Sequence, residues 1–505
     1  MPRQRWTVFI SGAAIAIAGL VAYHNSFSGP FILDDTWNIV ANPSIRHLWR
    51  LGRVLSPQPI PALGGRPLYN LSFAVNYAWG GTSVRGYHVL NLAIHLLAGL
   101  TLFGIVRRTL RNSNLALAIA ILWTVHPLLT ESVTYISERS ELLMGLFYLL
   151  TLYCFIRANL EIRTERSDRY FNSKFEIFSI AACLLGMASK QSMVTAPVVV
   201  FLYDRTFVAG SFREAWRRRR GYYLGLAGTW VLLAILMAGP GDPQIGSGHG
   251  VTAWAYAATE CQVVLKYIRL ALWPHPLVLD YGSGVVRPGW AVLPYGAVVV
   301  AVLAGTAWLL VGQFRDSKFE VRNFRALGFT AAFFFLVLAP TSSFVPVGPQ
   351  PMAENRMYLP LAAIVVLVAA GIHAVAGRMR GLVFAALAVV LAVLTIQRNA
   401  VYASGLSIWT DTVVKCPQSA RAHSNLGAAL YRAGRKPEAT GQLEEAVRIN
   451  PGDALTHLML GNLLAEGGRS AEAIIQYQEA LQIDPALAQA RARLSSLTTR
   501  GGQGN

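Results

Sequence analysis

The chain returns repeatedly to apolar runs close to the length that crosses a bilayer. A spanning helix needs about 20 consecutive, mostly apolar residues. Runs near that length fall at about 7–23, 88–106, 114–128, 141–157, 175–189, 193–204, 221–238, 290–312, 324–340, 357–376 and 381–397. In hydrocarbon, backbone N–H and C=O groups must be paired within the protein, and for single runs of this length the helix does so. The expected fold is therefore all-α, a polytopic membrane bundle of about 11 transmembrane helices. The run at 193–204 is short and also reads as a re-entrant hairpin with its predecessor. Only 14% of the residues are charged, against about 25% in soluble proteins. The first run follows "MPRQR" without a small-residue cleavage site, so it reads as a retained helix.

Charge orients the bundle. The net charge is +18, which in a soluble protein would suggest nucleic acid. Here the cations gather in short loops: 107–111, 157–174, 204–220, 313–325 and 377–380. With the N-terminus, these hold 22 of the 44 Lys and Arg. The positive-inside rule then places the N-terminus in the cytoplasm, and nucleic acid is not an expected partner. An odd number of spans puts the C-terminus outside, together with the long loops 24–87 and 239–289. Cys261 and Cys416 fall on that side, where a disulfide is chemically allowed, but nothing in the sequence brings them together.

The last hundred residues change character. Pro417, Pro451 and Pro485 are spaced 34 residues apart, the tetratricopeptide period. Leu426-Gly427, Ala439, Leu443 and Ala446 recur as Leu460-Gly461, Ala473, Tyr477 and Ala480. The small residues let paired helices approach, and the larger ones fill the space between units. The organisation expected is a membrane domain over 1–397, a linker over 398–416, a short α-solenoid over 417–498 and a flexible tail over 499–505. The solenoid presents a groove for a protein or peptide; a spacer without a partner is the alternative. Oligomeric state is not legible.

Polar residues outside the basic loops cluster on one side. Asp34 and Asp35 stand together in "FILDDTWNIV", just past the first span. Arg66 follows in the same loop. His88, Asn91 and His95 lie on one face of the second span, suited either to interhelical hydrogen bonds or to a ligand. His126, Glu131, Glu138, Arg139 and Glu141 belong to "VHPLLTESVTYISERSELL". Lys190 sits in "ASKQSMV", and Glu354, Arg356 and Tyr358 in "AENRMYLP". Cations at an interface suit a phosphate whose remainder is lipid. A carboxylate nearby suits a general base that deprotonates a hydroxyl. The two histidines lack diagnostic metal-ligand spacing.

These blocks, in this order, resemble the transmembrane and tetratricopeptide-repeat-containing protein O-mannosyltransferases of the GT-C glycosyltransferase class. The resemblance runs from "FILDDTWNIVANPSI" through "RPLYNLSFAVNYAWGG", "HPLLTESVTYISERSELL", "ASKQSMVTAPVVVFLYD", "LWPHPLVLDYG" and "ENRMYLPLAA" to the repeats. Two departures stand out: "ERSE" where the family often has Gly-Arg-Ala before the acidic residue, and "SKQ" where it often has Ser-Lys-Glu.

The resemblance implies an inverting transferase that moves a sugar, mannose in the first instance, from a polyprenyl-phosphate carrier to hydroxyls of exported proteins. Asp34 or Asp35 would be the base, and Arg139, Lys190 and Arg356 would bind the donor phosphate. Arg66, His88, Asn91, His95, His126, Glu131, Glu141, Glu354 and Tyr358 would line the pocket or meet the acceptor. No cofactor is required beyond the lipid-linked donor; a divalent metal held by the acidic pair is the less favoured option. The chain would sit in a bacterial inner membrane with its tail in the periplasm, or in the endoplasmic reticulum with the tail in the lumen. Two other readings remain at this level: a GT-C transferase acting on a lipid or polysaccharide, and a non-enzymatic scaffold whose repeats recruit partners. Alternatively, the Asp pair only caps a loop helix.

Overall fold

The computed structural model describes residues 2–56, 66–160, 169–238, 252–282, 290–312, 318–344 and 350–501. Parts of the expected external loops, 57–65, 239–251 and 283–289, and the tail end 502–505 lie outside them.

All regular elements among the described residues are helical. They begin with α1 (Pro2–Ala22), α2 (Leu51–Leu55), α3 (Pro67–Gly80), α4 (Val84–Leu110) and α5 (Ser113–Thr124). There follow α6 (Thr130–Thr134), α7 (Arg139–Leu160), α8 (Arg169–Met187), α9 (Ala196–Tyr203), α10 (Phe212–Met237) and α11 (Ala253–Leu272). Next come α12 (Leu293–Val311), α13 (Lys318–Leu338), α14 (Pro360–Val375) and α15 (Arg380–Val401). The last are α16 (Gly405–Lys415), α17 (Ala420–Arg432), α18 (Lys436–Ile449), α19 (Ala454–Glu466), α20 (Ser470–Ile483) and α21 (Ala488–Gly501).

The expectation of about 11 spans is corrected. Among the described residues five helices are long and apolar enough to cross a membrane: Val84–Leu110, Ile136–Asn159, Phe212–Met237, Trp290–Val311 and Gly377–Val401. A sixth arises if Ser113–Thr124 and Pro127–Thr134, bent by 51°, form one crossing. The membrane core among the described residues is thus about five to six long apolar helices. Apolar content alone overcounted, because crossing also requires unbroken helical length. The apolar stretches Trp6–Ala22 of α1, Phe324–Leu338 of α13 and Pro360–Val375 of α14 are shorter, at 10–17 residues. The run at 193–204 is divided among a 3-10 turn (Gln191–Thr195), α9 and a π turn (Asp204–Val208). The odd-span argument for the side of the C-terminus falls with the count.

The chain divides into two compact units. One comprises Met1–Leu277 with Val285–Ala400; the other comprises Val278–Gly284 with Val401–Asn505. In the first, α7 packs against α4 and α8, α4 against α5, and α13 between α12 and α14. The loop after α1 folds back onto this frame through a buried apolar cluster of Ile39, Ile45, Val54, Tyr69, Phe73, Ala74, Tyr87 and Ile136. That cluster is what fixes the acidic pair in place.

In the second unit the 34-residue period extends to hydrogen bonds. His423 Nδ1 meets Gln442 at 2.7 Å and its Nε2 meets the Pro417 carbonyl at 2.9 Å. His457 repeats this with Gln476 at 2.7 Å and the Pro451 carbonyl at 3.0 Å. Each histidine thus ties the first helix of a repeat to the second helix and to the incoming proline turn. The range expected as a linker contains α16, which packs against α17.

Candidate active site

Asp34 and Asp35 are adjacent in sequence and opposite in environment. Leu33 just before them has φ of +46°, a left-handed conformation rare for a non-glycine residue. Asp34 is exposed, whereas Asp35 has 0% of its surface exposed. The Asp35 Oδ1 accepts from the Ser137 N–H at 2.8 Å and the Ser137 hydroxyl at 2.5 Å. Its Oδ2 accepts from the Ile32 N–H at 3.0 Å. Burial pushes the Asp35 carboxyl up to about 7, and the Asp34 charge adds to the rise; the three donors oppose it. Asp34 is held by its backbone: its N–H donates to the Tyr135 hydroxyl at 3.0 Å. A π turn, Thr36–Val40, follows directly, but the Asp35 side chain does not cap it.

The polar face of α4 is engaged inside the protein. The His88 Nε2–H donates to the Gly29 carbonyl at 3.0 Å. Asn91 donates to the Val133 carbonyl at 3.2 Å and accepts from Arg139 Nε at 2.7 Å. His95 donates from Nε2 to the Thr124 carbonyl at 2.9 Å, which leaves Nδ1 to accept from the Tyr358 hydroxyl at 3.0 Å. His126, at the bend before α6, donates to the Ala271 carbonyl at 3.1 Å and accepts from the Leu128 N–H at 3.2 Å. His95 and His126 therefore have both ring nitrogens in use. Among the described residues no group of three His, Cys, Asp or Glu is placed to hold a metal.

The three expected phosphate cations differ. Arg139 is fully buried. Besides Asn91, it donates to the Tyr87 carbonyl at 3.0 Å and the Ser72 carbonyl at 3.2 Å, and it stacks on Phe73 at 4.6 Å. Arg356 donates to the carbonyls of Pro351 (2.7 Å), Gln350 (2.9 Å) and Thr341 (3.1 Å), with Glu260 at 3.9 Å. Lys190 is partly accessible and pairs with Glu141 at 2.7 Å. Arg66 is partly exposed, and its charge reaches Glu141 and Tyr69. Lys190 and Glu141 thus form an ion pair at the start of α7, with the charges of Arg66 and Glu138 in electrostatic reach of Glu141. The hydrogen bonds of Arg356 run to the carbonyls of 341–351, those of Arg139 to Asn91, Ser72 and Tyr87, and that of Lys190 to Glu141. Glu354 and Glu131 lie buried near Arg398, with Arg398–Glu354 at 3.8 Å.

Arg398 and Glu260 are partners that sequence reading missed. Arg398 stands in the last turn of the apolar α15 and Glu260 is the one acid of the amphipathic α11, and those charges were the available signal.

Comparison with known proteins adds to this geometry. Tetratricopeptide repeat models match residues 420–453 and 441–488. A Caenorhabditis elegans protein O-mannosyl-transferase, F38B6.6, is 26% identical over 457 residues, covering 86% of this chain and 61% of that protein. Over most of its length the chain is similar to the TMTC protein O-mannosyl-transferases, and it carries C-terminal tetratricopeptide repeats. Human protein O-mannosyl-transferase TMTC4 is similar at 26% identity, covering 87% of this chain and 66% of its own length. The chain thus spans less than two thirds of both relatives. Mouse protein O-mannosyl-transferase TMTC1 is 32% identical over 171 residues, 31% of this chain and 18% of its own. Among solved structures, ArnT from Cupriavidus metallidurans bound to undecaprenyl phosphate aligns over 95% of this chain and 80% of its own, at 14% identity and a TM-score of 0.42.

Proposed function

We propose that this TMTC-like chain transfers a sugar, mannose in the first instance, from a polyprenyl-phosphate carrier to hydroxyl groups of exported or lumenal proteins. The relatives named above motivate the reaction class. The contrast within the acidic pair supports the assignment of roles: Asp34 is exposed while Asp35 is buried and hydrogen-bonded. Asp34 is the base. It removes the proton from the acceptor hydroxyl as that oxygen attacks the anomeric carbon, and the C–O bond to the carrier phosphate breaks with inversion. Asp35 positions the loop through Ser137 and Ile32.

The donor phosphate faces Lys190 and Arg66, the partly accessible cations at the start of α7, which offset its growing charge in the transition state. Arg139 and Arg356 hold the frame through their carbonyl contacts. The repeat unit captures the polypeptide acceptor and raises its local concentration. The site side of the membrane faces the periplasm or an organelle lumen.

The test is transfer by purified protein from a polyprenyl-phosphate sugar to a peptide or protein acceptor. Asp34→Asn should lose about 10²–10⁴-fold of the rate while folding normally. A wild-type rate in that variant would overturn the assignment.

A further inference from the structure

The far end of the bundle carries a second, separate feature. Helix α4 runs 27 residues from the Asp34 loop to Arg107 and Arg108, roughly 40 Å at about 1.5 Å per residue. Near this second end, α4, α7, α9, α13 and α14 line a half-open cavity of about 100 Å³. Its lining is apolar, with Leu102, Val106, Leu152, Phe329 and Ala363 among the contributors. Its few polar groups are already engaged: Thr109 with Tyr203 at 2.7 Å, and Thr330 with the Ala326 carbonyl at 2.9 Å. Such a wall offers hydrocarbon a place and gives a polar solute little to bind.

Two arginines adjoin lining residues in the chain. Arg205 lies between the lining residues Tyr203 and Phe207, and Arg325 immediately precedes the lining residue Ala326. Arg205 is only 8% exposed. Its Nη2 donates to the Leu310 carbonyl and its guanidinium stacks over Phe212 at 5.6 Å. The Asp204–Val208 turn that carries Arg205 packs against α13, which carries Arg325. Arg205 Nη1 and Arg325 Nε have no acceptor among the described residues. The adjacent acid does not neutralise Arg205: Asp204 is held by Arg219 at 2.9 and 3.0 Å and by the Tyr223 hydroxyl. A buried cation beside a half-buried one is unfavourable unless an anion joins them.

We infer that this end of the bundle binds one anionic phospholipid, with an acyl chain in the apolar cavity and the headgroup phosphate between Arg205 and Arg325. Guanidinium groups suit a phosphate because they present paired donors to its oxygens. The neighbouring cavity distinguishes a lipid from a free anion. The site lies at the opposite end of α4 from the proposed chemistry, so it does not depend on the function proposed above.

The test uses the full chain in nanodiscs of phosphatidylcholine mixed with phosphatidylglycerol. After mild delipidation, native mass spectrometry identifies the lipid retained. Wild type should keep one phosphatidylglycerol with about tenfold preference over phosphatidylcholine. The double variant R205Q/R325Q should lose that preference. Ala363→Phe, which fills the cavity and keeps both arginines, should lose retention altogether. Monodisperse elution of each variant checks folding. Equal retention of the two lipids, or an unchanged preference in R205Q/R325Q, would overturn the inference. So would displacement by inorganic phosphate, which would mark a free-anion site, or stronger retention of an added polyprenyl phosphate.

Discussion

The backbone N–H of Asp34 donates to the hydroxyl of Tyr135 at 3.0 Å, across 101 positions of sequence. Tyr135 is buried at the end of α6, so this bond ties an exposed carboxylate to the rigid core. Tyr135→Phe removes the acceptor and leaves the ring. If Asp34 is the base, transfer should fall by roughly 10–100-fold through misplacement of the carboxylate. Peptide glycosylation at matched expression measures this; full activity in Tyr135→Phe would show that the bond does not position the base.

Asp35 predicts a pH effect on stability. Its carboxyl is raised to about 7 in the folded chain from an ordinary value of 3.8. The native state therefore binds this proton more tightly than the unfolded state. Stability from this group falls as pH rises from about 4 to about 7, then levels off. The full span is on the order of 4 kcal/mol at about 1.36 kcal/mol per unit. Thermal melts across that range should show the decline in wild type. Asp35→Asn should flatten it, at a lower plateau, because an amide cannot accept from Ile32 and Ser137 together. Parallel pH dependence in the two proteins would assign the slope elsewhere.

Lys190 and Glu141 form a nearly buried pair at 2.7 Å, with 14% and 4% of their side chains exposed. Removing one partner leaves a buried charge unmatched. Lys190→Ala should destabilise the membrane unit by about 3–5 kcal/mol. The double change Lys190→Met with Glu141→Gln should recover much of that loss but not transferase activity. Chemical denaturation in detergent separates the two, and an inactive single variant with wild-type stability would refute the structural part.

The repeats offer a local test. A Cβ on Gly461 would meet the Tyr477 ring at 2.7 Å, and one on Gly427 would meet Leu443 at 2.8 Å. Each glycine is where two helices of a repeat approach most closely. Gly461→Ala should cost about 1–3 kcal/mol through overpacking. Limited proteolysis should then cut within 454–483 first. Unchanged protection would mean that the Tyr477 ring can move aside.

Much of this architecture was legible in the primary structure. The 34-residue proline spacing announced the repeats, and small residues at Gly427 and Gly461 marked their contacts. The polar face of α4 was visible as His88, Asn91 and His95, and it serves helix-to-helix hydrogen bonds. Span number was misread. Hydropathy registers apolar content, whereas the 3-10 and π turns around α9 depend on how neighbouring helices pack.

By itself the sequence determined the all-helical membrane class and the repeat unit, because these depend on composition and period. Tertiary structure alone decided which carboxylate of the pair is exposed, which cations are committed to carbonyls and which charges are paired. Those outcomes turn on contacts between distant segments, such as Ser137 with Asp35 and Glu141 with Lys190, and local pattern carries no record of such contacts.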